Sequence, residues 1–178
     1  QVMQVELPTP KLVGSVLHKV QFGFNNNFTW KGIELGLLIT ARLGGVCVSQ
    51  TQAFMDSYGV SQKTAELRNN GGVAIGRQRV STEKYYTVVG GESPIWDEYV
   101  YSASNVRLKE FYLGYTFNKL IRGAKISVAL TARNLLMLYC KAPFDPEATP
   151  STDIYYQGFD YFMQPSQRSV GFSFNVKL

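Results

Sequence analysis

One histidine, two cysteines and no long apolar run are found in 178 residues. A single imidazole, His18, gives a nucleophile–base system or a histidine metal centre little to work with. Its place at the start of an amphipathic strand reads as a solvated rim residue. Cys47 and Cys140 are too few for a disulfide scaffold or a zinc cluster. Both follow strands running in one direction, so an oxidising compartment would permit a bond, yet two unpaired thiols are expected. No stretch approaches the roughly 20 apolar residues of a membrane helix. Neither a GxxxxGK[ST] phosphate loop nor a GxGxxG turn occurs. Charge is thin as well: 18 Lys and Arg against 13 Asp and Glu, scattered without a dense run, which excludes a nucleic-acid footprint. The opening Gln1-Val2-Met3-Gln4 has neither the basic nor the apolar region of a secretory leader, so in an exported protein these are not the natural first residues.

What is present favours strands and turns: 11 Tyr, 11 Phe and 16 Gly. The mean hydropathy of -0.09 suits a soluble domain and a transmembrane barrel equally, because each lipid-facing residue of a barrel is offset by a lumen-facing one. Pattern has to separate them. From Val170 to Leu178 apolar and polar residues alternate without a miss. Val170, Phe172, Phe174, Val176 and Leu178 share one face; Gly171, Ser173, Asn175 and Lys177 share the other. Four further strands show the same two-faced pattern. His18 to Trp30 aligns Val20, Phe22, Phe24, Phe28 and Trp30, with Asn27-Phe28-Thr29 matching a glycosylation sequon that its mid-strand position disqualifies. After a Lys31-Gly32 turn, Ile33 to Leu43 aligns Ile33, Leu35, Leu37, Ile39 and Ala41. Asn105 to Phe117 aligns Phe111, Leu113, Tyr115 and Phe117, with Arg107 and Lys109 falling on that same face, an end expected beyond any apolar slab. A short basic turn, Asn118 to Ala124, leads to a strand carrying Ile126, Val128, Leu130 and Ala132. Lys19, Arg42, Lys125, Arg133 and Lys177 fall on the polar face.

These strands run about 11 to 13 residues, near the 9–11 that a tilted membrane strand needs and well above globular strands of about 5–6. Their connections alternate short and long, as in outer-membrane barrels. Long external loops are therefore expected at about 44–104, with a short helix near Gln62 to Arg68, and at 139–165. The second loop gathers Asp145, Glu147, Asp153 and Asp160, oxygen donors of the kind that bind calcium, though at no EF-hand spacing. It also carries Tyr155, Tyr156, Phe159, Tyr161 and Phe162, which could stack on a sugar, pack on a partner or lie at a membrane interface.

Several segments, in chain order, resemble the SusC/RagA-like TonB-dependent outer-membrane transporters. Pro10-Lys11-Leu12-Val13-Gly14-Ser15 with Phe22-Gly23-Phe24-Asn25-Asn26, and Phe28-Thr29-Trp30-Lys31-Gly32-Ile33-Glu34-Leu35, resemble paired strands of that family. Asn105-Val106-Arg107-Leu108-Lys109-Glu110-Phe111-Tyr112-Leu113-Gly114-Tyr115-Thr116-Phe117 is similar to its late strand signature. Arg133-Asn134-Leu135, Phe144-Asp145-Pro146-Glu147 and Pro165-Ser166-Gln167-Arg168-Ser169 follow in the family's order. Leu178 departs from the terminal aromatic usual there, Tyr139-Cys140-Lys141 is atypical, and Gly76 to Asp97 matches nothing.

The resemblance implies that residues 1–178 are the C-terminal portion of a transporter barrel: all-β, about five antiparallel strands of a 22-stranded wall in the outer membrane of a Gram-negative bacterium. It implies a plug and a TonB complex engaged through parts absent here, and a SusD-like lipoprotein delivering oligosaccharide or peptide. Neither cofactor nor catalysis is implied. Five strands cannot close a barrel, so Ser166 to Leu178 should pair with the Ile126 strand on one side and with a strand from elsewhere on the other. The alternative is a soluble β-sandwich that binds carbohydrate through its aromatic loops; a small β-enzyme using Asp145, Glu147 or Asp160 is a weaker third reading.

Overall fold

A computed structural model describes residues 9, 11–121, 124–148, 150, 151, 153 and 155–177. Pro10, the Arg122-Gly123 tip of the basic turn and the terminal Leu178 lie outside them. In chain order the elements are β1 (Val20–Trp30), β2 (Ile33–Leu43), β3 (Val46–Ser49), α1 (Gln50–Ser57), α2 (Gln62–Asn69), β4 (Val73–Ile75), β5 (Gln78–Val80) and α3 (Thr82–Val89). A 3-10 turn (Trp96–Tyr99), β6 (Val100–Ser102), β7 (Asn105–Ile121), β8 (Ala124–Cys140), β9 (Phe159–Asp160) and β10 (Ser169–Lys177) follow. They form two compact units: a sheet unit of Leu17–Gly45, Ala103–Glu147 and Pro165–Leu178, and a loop unit of the remainder.

The sheet unit is one antiparallel sheet in the order β1-β2-β7-β8-β10. Lys31 (φ 46) and Gly32 (φ 90) make the left-handed two-residue hairpin that matches strand twist. Register then places the apolar sets side by side: Phe24 opposite Ile39, Leu35 opposite Leu113, Leu113 opposite Leu130, Leu130 opposite Phe172. The result is a broad apolar face, interrupted at Asn26 opposite Leu37, with Phe22, Phe24, Phe28, Trp30, Val170, Phe172, Phe174 and Val176 between 46% and 71% exposed. In water each such Phe would forgo about 1.5–3 kcal/mol of burial. The sandwich alternative required a second sheet over this face, and the exposure of both edge strands rules that out. The tail pairs with the Ile126 strand as expected, Val176 opposite Ile126.

Strands β7 and β8 are 17 residues each, longer than the alternation indicates, and shorten the basic turn to its tip. The reading of Arg107 and Lys109 needs correction. On β2, Leu38 and Ile39 are adjacent, yet they pair with Glu110 and Leu108. Lys109 is the extra residue of a β-bulge, which reverses the facing of everything above it. Leu108 and Val106 thereby join the apolar set, while Arg107 moves to the polar face opposite Thr40. On that face Tyr112 lies against Gly114, where an added Cβ would come 2.7 Å from the tyrosine oxygen; only glycine leaves room for the ring.

The loop unit supplies structure where a long connection was expected. Alongside the anticipated α2 it holds α1 and α3, each eight residues and each capped by a serine oxygen: Ser49, Ser61 and Ser81 accept from the N–H three residues on. Ala53, Tyr86, Val89 and Tyr99 form its buried core, with Leu67, Val73, Ile95 and Tyr101 packed around it. Burial, with the Asp56 carboxylate adding to it, pushes the Tyr99 phenol far above its ordinary value. Among the described residues no helix is long and apolar enough to cross a membrane, which leaves strands untouched.

Candidate functional site

The aromatic segment of the second loop is held in place by backbone pairing. Strand β9 runs parallel to β3, with Phe159 beside Val48 and Asp160 beside Ser49. Asp160 is buried and accepts from Ser49 Oγ at 2.5 Å. The Phe162 N–H donates to Thr51 Oγ1 at 2.7 Å. Gly158 (φ +69) lets the chain pass where a Cβ would sit 2.8 Å from Val16. On this frame the rings separate into two groups. Phe159 is half-buried against Trp96 at 6.0 Å. Phe162 stacks on Phe54 at 5.8 Å and meets Tyr161 edge-on at 5.2 Å. Tyr155 stands 87% exposed and Tyr156 52%. Phe54 and Trp96 were not anticipated as members. Their only sequence signal was aromatic identity within segments read as connection, and the contacts join positions far apart in the chain.

In the sheet unit the corrected placement of Arg107 creates a buried ionic cluster. Its guanidinium, 3% exposed, meets Asp145 at 2.7 Å and Glu147 at 3.3 Å. Arg42 and Lys109 approach Glu147 at 3.6 and 3.7 Å. Asp145 also accepts from the backbone N–H groups of Glu147 and Ser166, at 3.0 and 3.1 Å. Burial alone would raise the Asp145 carboxyl, but the Arg107 hydrogen bond, Ser166 and the backbone N–H groups outweigh it and hold the group well below the usual carboxylate range. One Glu147 oxygen has ionic neighbours without a hydrogen bond of good geometry. The cluster ties the start of the second loop and the entry to β10 onto the polar face. Beside it Gln21, Gly23, Thr40, Arg42 and Lys109 line a concavity of about 250 Å³.

Calcium at Asp145, Glu147, Asp153 and Asp160 finds no support in this geometry. Asp145 and Glu147 are occupied by cations, Asp160 by Ser49, and among the described residues no three His, Cys, Asp or Glu come together as a metal site. The same ion pairs remove Asp145 and Glu147 as free acid–base groups. His18 is half-buried instead of solvated, its Nε2 enclosed and without a hydrogen-bond partner. Cys47 and Cys140 are both thiols.

Relatives agree with this architecture. No protein-family model matches the chain. It is 27% identical over 176 residues to TonB-dependent receptor P3 of Formosa agariphila, an alignment covering 94% of this chain and 17% of the receptor. It also superposes on the RagAB peptide importer, with TM-scores of 0.62 in the open-open state and 0.63 in the closed-closed state. Both alignments are 20% identical and cover 93% of this chain and 18% of that one. The fold is that of a TonB-dependent transporter barrel wall. The sheet of a barrel wall shows lipid one face and the lumen the other, which accounts for the exposed apolar set. Trp30 with Lys31 over its ring at 5.0 Å, and Tyr115 edge-on to Phe117 at 4.5 Å, place aromatics at the short-turn end, where a barrel wall carries an interfacial girdle. The barrel wall seen here spans 17% of the curated relative's length.

Proposed function

We propose that this chain is part of a SusC-like, TonB-dependent importer in the outer membrane of a Gram-negative bacterium. The importer takes up oligopeptides or glycans handed over by a SusD-like surface lipoprotein, and the chain itself performs no catalysis. The observation that carries this reading is the five-stranded sheet with one broad apolar face, aligned over nearly its whole length with known transporter walls. Connections of the long kind gather at one sheet end and tight turns at the other, which supports long loops outside and short turns in the periplasm. The exposed Tyr155, Tyr156, Tyr161 and Phe162, with Phe159 beside them, are the proposed contact surface for substrate or lipoprotein. RagAB, a peptide importer, lends weight to peptide over glycan. Fractionation of cells producing the whole protein tests the reading. It should appear in the outer membrane, leave it only with detergent and bring a lipoprotein with it; recovery in detergent-free buffer would overturn the proposal.

A further inference from the structure

We infer that the polar face of the sheet carries a binding site for a small solute with one carboxylate, in the hollow over β1 and β2 where Gln21, Gly23, Thr40, Arg42 and Lys109 converge. The hollow exists because of Gly23. This residue lies directly opposite Thr40, and an added Cβ there would meet nothing within 4 Å. The space, about 250 Å³, has room for about eight waters at roughly 30 Å³ each, or for a small organic acid. Its donors are unused. The Thr40 hydroxyl is enclosed and has no hydrogen-bond partner among the described residues. Arg42 turns its Nε toward Glu147 at 3.6 Å, and Lys109 lies 3.7 Å from the same carboxylate, both beyond hydrogen-bond reach. Among the described residues neither cation donates a hydrogen bond, so the terminal nitrogens of Arg42 and the Lys109 ammonium are open to a ligand.

Charge selects the ligand. Arg42, Arg107 and Lys109 meet two carboxylates, Asp145 and Glu147, which leaves one positive charge uncompensated in the cluster. Arg107 is buried and engaged by Asp145, so the surplus falls to the two cations that line the hollow. Glu147, its side chain 11% exposed, is not part of that lining. A planar group with a single negative charge fits. A carboxylate takes the edge of a guanidinium through two parallel N–H groups, with the ammonium and the hydroxyl beside it. A dianionic phosphate exceeds the charge left over. In the barrel-wall reading, on which this inference rests, the polar face borders the lumen, so the ligand is a solute on its way through. The C-terminus of an oligopeptide and an acidic sugar both present the carboxylate.

Titration calorimetry on the whole, detergent-solubilised protein tests it. The probes are N-acetylglycinate for a peptide terminus, glucuronate for an acidic sugar and N-acetylglycinamide as the uncharged match. At least one acid should bind saturably, and the amide should not. Gly23→Leu projects into the open hollow, so it should keep the melting temperature and weaken acid binding by about tenfold or more. Arg42→Gln should weaken it by about tenfold, the loss of one charge-assisted contact. Preference for N-acetylglycinate supports the peptide terminus as the source, and preference for glucuronate supports the sugar. Equal binding of acid and amide, acid binding unchanged by Gly23→Leu, or no acid binding at all would each overturn the inference. None of these results would touch the barrel-wall reading, which fails instead if the protein is recovered without detergent.

Discussion

The sheet unit and the loop unit solve the burial problem in opposite ways. In the loop unit, apolar side chains converge: Ala53, Tyr86, Val89 and Tyr99 are 3% exposed or less, and the buried polar groups are mainly small hydroxyls and caps. In the sheet unit most of the large apolar residues point outward, and the two most deeply buried side chains are polar, Asn105 and Arg107. One chain thus holds a water-type core and an inverted one. The difference teaches that hydrophobic content says little about where the apolar residues go; strand register decides it.

The sharpest way to break this comparison is to remove the ionic centre of the inverted unit. Arg107→Ala should cost about 3–5 kcal/mol, because it leaves Asp145 enclosed without its cation; denaturant unfolding in detergent measures it, and a cost near zero would mean the cluster is ornamental. Next comes the apolar face. Phe172→Arg should cost about 2–4 kcal/mol in a bilayer while the neighbouring Ser173→Arg is close to neutral; equal effects would dissolve the distinction between the faces.

Acid should separate the units more gently. The Asp145 carboxyl is depressed in the folded state, so its contribution is complete above the ordinary carboxylate pKa of about 4 and disappears only as pH falls through the lower folded value. Melting temperature should therefore hold steady from pH 7 to 5 and drop below pH 4, with the drop blunted in Asp145→Asn. A drop centred near pH 6 would point to some other group. The smallest effect belongs to the water-type core. The Tyr99 hydroxyl is buried with no hydrogen-bond partner, so Tyr99→Phe should be neutral or stabilise by up to about 1 kcal/mol. A loss beyond that would reveal a partner the hydroxyl depends on.

Much of the inverted unit was legible in the sequence because period-two alternation is a direct record of a two-sided environment. The end of β1 at Trp30, both ends of β2 and the Lys31-Gly32 turn follow from it residue for residue, while β1 begins at Val20, two residues after the expected His18. Alternation fails where the chain slips. Around Lys109 the pattern placed Arg107 among the apolar residues, since a bulge leaves no mark in the order of residue types. The three helices were harder still. Eight residues give barely two turns, too few for a helical period to stand out, and only α2 was anticipated. The aromatic candidates Tyr161 and Phe162 do meet, but Phe54, which stacks on Phe162, and Trp96, which meets Phe159, come from distant segments that no local rule connects. The Arg107 cluster was invisible for the same reason: its partners lie 38 and 40 positions further along.

The bulge at Lys109 does not end on its own strand. Between Glu110 and Leu108 on β7, the partner strand β8 advances from Arg133 to Leu136, one residue more, and Asn134 there takes a left-handed conformation (φ 50). The surplus residues lie side by side on adjacent strands, like a dislocation line in a crystal along which one half of the lattice has slipped past the other. Such a line cannot be healed at a single point. Deleting Lys109 alone would return β7 to step with β2 and keep Arg107 on the polar face opposite Thr40, but β8 would still carry its own surplus against β7. Length changes in this part of the wall are therefore tolerated in matched sets across strands, and the fault line marks where the stagger of the barrel is set.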